Sequence, residues 1–506
     1  MRSEKMKRIV SFLIVIIMVS LSFAACGESA ATTTTAGATS VAPKRTIEDD
    51  GLPELNFDGA TVNFITREAQ GGEMTRESIT NDVLNDAIYN MNAAVDKRLN
   101  VKLKYILTES TNEGAAEVKV ENSVLSGLDE YQLAGSIGTH GTRIAAKAEG
   151  GVFLDIYGDH VKYIDVEREW WNSYVAGNTE VYGILPCVTG ALSLGFTKDA
   201  VVTYFNKNMF EENGITENMY DLVKSGQWTF AKQLEMIKNT YSDLSGDGKT
   251  ADDRYGYIFD NNWSIDAFWS AFDLSLISKT DDGGLEIVSD NERFANALVA
   301  VYELAFENKD AYWLDTLQTE SYKSVNGYQG EELAEMFAED RAFFMETRLR
   351  LTESELMRNM KSDYGIIPMA KMDETQDEYY TYVADWYMMY AIPKTVKDPD
   401  AASAVLEALA IEAYKYVAPA YFDKVLKGRY TRDTESSEML EYIVDHIKID
   451  RAWVHSYAVD KLPQYAMRYQ LTEQHSSSFA SFWRANKRKY QRSLEKYLAV
   501  YKGYDG

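Results

Sequence analysis

Tryptophan lies near a carboxylate in two stretches of this chain, "ADWYMMYAIP" with Asp385 and Trp386, and "DNNWSIDAFWSAF" with Trp263 and Asp266. An indole face packs on apolar C–H surface while a carboxylate accepts from hydroxyls, so the combination suits a ligand with apolar faces and polar edges, such as a sugar. The competing role for either indole is a core plug. The adjacent carboxylate favours ligand binding for Trp386. In the second stretch Phe268 and Phe272 take core-facing helical positions, which leaves Trp263 for a ligand. The pair Trp170–Trp171 and the single Trp228 read as packing residues.

Other polar groups sit where strands should end. "MFAEDRAFFMETRLRL" closes a strand at Glu346, Thr347 and Arg348, where a buried strand delivers side chains to a ligand or to a surface ion pair. Arg67 and Glu68 follow the first strand directly and can make charge-assisted hydrogen bonds to hydroxyls. "SDLSGDGKTADDRYG" fails as a phosphate loop, because Asp243 stands where the motif needs glycine. As a calcium loop it offers Asp243, Ser245, Asp247 and Asp253, although Arg254 takes the position of the closing Glu. A solvated Asp/Gly turn is the alternative, so calcium is the one metal to consider and no other cofactor is expected. The five histidines show no metal-ligand spacing, and no G-x-S-x-G or HExxH motif occurs. A secreted glycan-active enzyme therefore stays an alternative without a recognisable catalytic constellation.

The elements that must position these groups follow from periodicity. "ATVNFIT" (60–66) and "VKLKYIL" alternate as strands around a helical stretch at 80–100, giving a β-α-β unit. "YQLAGSIG", "RAFFME", "YGIIPM" and "WYMMYAIP" read as further strands. A long helix is expected after the N-cap Thr229, carrying Phe230, Leu234, Ile237, Tyr241 and Leu244. Strands alternating with helices predict α/β layers, and eight prolines in the whole chain leave no Pro-rich linker between domains.

At 506 residues there is material for two to four domains, and 78 acidic against 52 basic side chains give a net charge of -26. A surface of that sign repels nucleic acid phosphates and anionic lipid headgroups, so neither is expected as a partner. The N-terminus has the form of a secretory signal. "MRSEKMKR" is basic, "IVSFLIVIIMVSLSFAA" is free of charge, and "SAATTTTAGATS" reads as a flexible tether.

"FAAC", ending at Cys26, resembles the bacterial lipobox, with Phe23 where Leu is usual. Three longer stretches resemble the extracellular solute-binding proteins of bacterial ABC importers, the maltodextrin-binding-like class called family 1. They are "VYGILPCVTGALSLGFTKDAVVTYFNKNMFEENGI", "AEMFAEDRAFFMETRLRL" and "DYGIIPMAKMDETQDEYYTYVADWYMMYAIPKTVKDPDAASAVLEALA", in the family's order. The resemblance implies a two-lobed periplasmic-binding-protein-like (type II) α/β fold with a hinge and an interlobe ligand cleft. It implies a carbohydrate ligand, permease subunits as partners, lipidation at Cys26, and a place on the outer face of the cytoplasmic membrane. A monomer is expected, and a peptide or other polar solute is the alternative ligand. The expected division is a signal peptide at 1–25, lipidated Cys26 and tether at 26–52, and lobe one at 53–195. Lobe two follows at 196–364, lobe one resumes at 365–430, and a helical part of lobe two fills 431–506.

Overall fold

Eleven strands organise the computed structural model, which describes residues 45–109, 114–260, 262–288, 291–314, 331–430 and 433–506. The expected signal peptide, Cys26 and most of the expected tether lie outside the described residues. In chain order the strands are β1 (Ala60–Arg67), β2 (Val101–Thr108), β3 (Leu133–Ile137), β4 (Val201–Asn206), β5 (Tyr255–Asp260), β6 (Ile277–Lys279), β7 (Leu285–Ile287), β8 (Ala311–Leu314), β9 (Ala342–Arg348), β10 (Tyr364–Ile367) and β11 (Met388–Ala391).

Sheet one has the order β11-β3-β1-β2, and sheet two the order β10-β4-β9-β5-β8. Within sheet one, β1 runs parallel to β2 from Ala60↔Val101 to Arg67↔Thr108, and β11 runs antiparallel to β3. The helix between β1 and β2, Val83–Leu99, starts where Asp82 caps the Leu84 and Asn85 amides and stops at Asn100, whose φ of 50° is left-handed. Its apolar side, with Ile88, Met91, Val95 and Leu99, is buried in the same core as Phe64 and Met388. In sheet two every residue of β4, β5 and β9 is buried. Such strands read as continuous apolar runs because both of their faces are covered.

The chain crosses between the sheets twice. It leaves sheet one ahead of β4, and it returns between Ile367 and Met388, later than the expected 365, because β10 pairs with β4 in sheet two. The two crossings are hydrogen-bonded to each other. Ala200 bridges Val383, the Val201 amide donates to the Tyr382 carbonyl at 2.9 Å, and the Ala384 amide donates to the Asp199 carbonyl at 2.9 Å. Gly195 lets the first crossing lie against the second, since a Cβ there would stand 3.1 Å from the Trp386 carbonyl oxygen and from Tyr387 Cα.

Two expectations change. The helix after Thr229 is short, Phe230–Met236, although Thr229 caps it as expected. Asn239 takes a φ of 63°, and the buried Asp310 carboxylate accepts from the Asn239 and Tyr241 amides, which turns the chain away from further helix. The C-terminal part also does not belong to one sheet. Helix Thr434–Asp445 packs on β10, whereas Tyr504 donates to the Phe153 carbonyl and Asp505 pairs with Lys394 near the end of β11. No helix among the described residues is long and apolar enough to cross a membrane.

Candidate functional site

The carboxyl ends of β1, β5 and β9 meet the crossing segments, and most of the expected ligand-binding residues meet there with them. Arg67 ends β1, Asp260 ends β5 and Arg348 ends β9. Trp386, half-buried on the second crossing, is ringed by guanidinium groups. Those of Arg67, Arg350 and Arg348 lie 5.3, 5.7 and 6.0 Å from its ring centre. Sheet one thus contributes one arginine and sheet two another to the same indole.

Arg348 also stacks on Trp263, 3.7 Å from that ring's centre. Trp263 is buried, so the face expected to hold a ligand is covered by an arginine of the protein. A buried guanidinium needs compensation, and Asp199, fully buried on the first crossing, supplies it. Arg348 donates to one carboxylate oxygen at 3.1 Å and Arg350 to the other at 2.5 Å. Burial, with Arg350 adding like-charge repulsion, lowers the Arg348 guanidinium to about 10 despite Asp199.

The acidic members divide by environment. Burial pushes the Glu346 carboxyl well above its ordinary value, and the Tyr257 and Thr203 hydroxyls next to it oppose this. Burial also raises Asp260, which accepts from the Asn262 and Ser264 amides and the Ser264 hydroxyl. Asp266 is fully buried and is held by Arg468, whose Nε donates to it at 3.0 Å. Burial raises that carboxyl while the guanidinium, forked onto both oxygens, opposes the shift. Asp385 is half-buried and within electrostatic reach of Asp266. Glu68 is exposed in the first turn of helix Glu68–Met74, where a carboxylate favours the helix start.

Sequence reasoning passed over Asp199, Arg350, Glu73 and Arg468. Glu73 accepts from the Gly195 amide at 3.0 Å, and desolvation raises its carboxyl even with Lys198 and Arg350 close by. The alternation Arg348–Leu349–Arg350 was the available signal for a second arginine on the same side. Asp199, in the sequence Thr197–Lys198–Asp199–Ala200, carried none, since it reads as one half of an ordinary surface charge pair. A cavity of about 470 Å³ adjoins the first crossing, with Trp171, Phe196, Thr197, Tyr421 and Ile447 among its walls, and none of the expected site residues lines it.

The three tryptophans read as packing residues are buried, and Trp170 and Trp171 also border that cavity. Trp228 donates to the Pro368 carbonyl at 3.0 Å, and Trp170 and Trp171 donate to the two oxygens of Glu407 at 2.8 and 2.7 Å.

The expected calcium ligands do not assemble. Asp253 accepts from the Leu244, Ser245 and Thr250 amides, Asp243 accepts from the Gly246 and Gly248 amides, and Ser245 donates to Asp247. These oxygens hold the turn together through its own amides. Among the described residues no group of three or more His, Cys, Asp or Glu is arranged to hold a metal.

No protein-family model matches this sequence, and no curated protein matches it. Solved structures do. A sugar transporter from Rhizobium etli in an open conformation is 13% identical, covering 88% of this chain and 100% of its own, with a TM-score of 0.54. A cyclo/maltodextrin-binding protein complexed with maltotetraose is 12% identical over 88% of this chain and 97% of its own, with a TM-score of 0.52. An ABC transporter solute-binding protein from Thermotoga lettingae bound with α-D-tagatose is 13% identical over 87% and 100%, with a TM-score of 0.50. At this level of identity the likeness establishes architecture, and the architecture of this chain is the mixed α/β, periplasmic-binding-protein-like fold.

Proposed function

We propose that this chain is the solute-capturing component of an ABC importer and takes up an extracytoplasmic carbohydrate, an oligosaccharide by preference, for delivery to a membrane permease. The observation that carries the reading is the convergence of Arg67 from sheet one and Arg348 from sheet two on Trp386. A sugar ring packs its C–H face on the indole, and guanidinium and carboxylate groups take its hydroxyls. Arginines from both sheets reach one ring, so a solute held there favours the closed arrangement of the lobes, by differential affinity for that state. No bond is made or broken. Lipidation of Cys26 holds the body at the outer face of the cytoplasmic membrane, and the tether leaves it free to sample solute.

A thermal-shift screen against mono- and oligosaccharides tests the reading, since a ligand at 100 times its Kd adds roughly 2.7 kcal/mol. A melting temperature unmoved by the whole panel removes the sugar assignment, and product formation from a glycan replaces binding with catalysis. Cys26→Ala releases the chain from membranes or blocks its processing and leaves solute binding intact.

A further inference from the structure

The longest helix, Phe479–Tyr501, carries Arg484, Lys487, Arg488, Lys489, Arg492 and Lys496 against a single acid, Glu495. All six are exposed. Lys489 lies over the Tyr465 and Tyr490 rings, and the other five have no ion pair with any described residue. Phe479, Phe482, Tyr490, Leu494, Tyr497 and Tyr501 hold the opposite side of the helix against the body, so its orientation is fixed.

Arg484, Arg488, Arg492 and Lys496 recur every fourth residue and form one row about 18 Å long, at 1.5 Å rise per residue. Like charges at this spacing destabilise a helix. Acidic side chains are abundant in this protein, yet among the described residues none forms an ion pair with any of these four. We infer that this row is a docking surface for an anionic lipid bilayer.

An evenly spaced row of four cations along the exposed side of one helix matches a continuous sheet of headgroup charge better than a discrete ligand. The aromatic residues of the helix are turned into the body and leave no stacking platform for nucleic acid bases. The net charge of -26 does not cancel the attraction, because charges beyond a Debye length of about 10 Å at 0.1 M salt are screened. Close to a membrane only the facing surface counts, and this face is basic. The inference does not depend on which solute is captured.

The test is co-sedimentation of the full chain with vesicles of phosphatidylcholine alone and of equal parts phosphatidylcholine and phosphatidylglycerol, at low and high salt. The apolar N-terminal segment contributes to both, so the reading is the preference for the anionic vesicles. We expect a salt-sensitive preference that falls about fivefold for each residue neutralised in the series R484Q, R488Q, R492Q and K496Q. Replacing the three arginines by lysine keeps the preference, and circular dichroism checks that each variant retains its helix. The inference is overturned if the quadruple glutamine variant keeps the wild-type preference. It is equally overturned if the lysine variant loses as much as the glutamine variant, or if the row proves to be needed only for binding an acidic protein.

Discussion

Arginines serve this molecule in two opposite ways. At the crossing, Arg348 and Arg350 share the buried Asp199 and lie among aromatic rings, and their positions are fixed by packing and hydrogen bonds. On the C-terminal helix, Arg484, Arg488 and Arg492 project into solvent without ion pairs to described residues. A buried charge is costly to leave unpaired, so its effect is short-ranged and tied to geometry. An exposed row acts through its summed field, which salt weakens. Net charge averages over both and so describes neither. The repulsion of anionic lipid expected from the net charge is an average, and the exposed row is locally of the opposite sign.

The comparison is broken most directly at Asp199. Asp199→Ala leaves two guanidinium groups without their carboxylate, and we expect a loss of about 3–5 kcal/mol in urea unfolding. A loss below about 1 kcal/mol would show that the cluster is wetter than its geometry implies.

A second buried carboxylate offers a pH test. Burial pushes Glu407 up to about 8, above its ordinary 4.5, although two indole N–H groups oppose the shift. Between these values the folded chain keeps a proton that the unfolded chain has released. This part of the stability is therefore present at low pH and lost as pH rises from about 4.5 to 8, by a few kcal/mol in all. Glu407→Gln should flatten the fall in denaturation profiles taken across that window.

At the site itself, Trp386→Ala should weaken sugar binding ten- to a hundredfold, about 1–3 kcal/mol by calorimetry, with a smaller change in stability because the ring is half-buried. The smallest effect belongs to the exposed row. Arg488→Gln removes two like-charge spacings and should raise stability by a few tenths of a kcal/mol, an effect that vanishes in high salt. If it destabilises instead, Arg488 has a partner and the contrast with Asp199 collapses.

The strands were legible because their patterns are local. β1, β2, β9, β10 and β11 all fall within or beside the apolar runs that announced them, and the β-α-β unit is as expected. The long helix after Thr229 was not legible, because a carboxylate far along the chain, Asp310, ends it. At the site, the strand-end positions of Arg67, Glu346 and Arg348 could be read, whereas Trp386, read at the start of a strand, lies on the crossing ahead of it. The role of Trp263 could not, since it depends on which cation settles on its ring. The acidic turn looked like a metal loop because composition does not say whether an oxygen faces an ion or a backbone amide.

The pairing of Ala200 with Val383 has a kinetic consequence. The two partners flank nearly the whole of sheet two in the sequence, so their contact closes a very long loop, and its entropy must be met before the contact can help. During synthesis Ala200 emerges long before Val383, and all five strands of sheet two lie between them in the chain. The contact between the two crossings therefore cannot form until the whole of sheet two has been synthesised, and the nascent chain holds Arg67 and Arg348 apart from Trp386 until then.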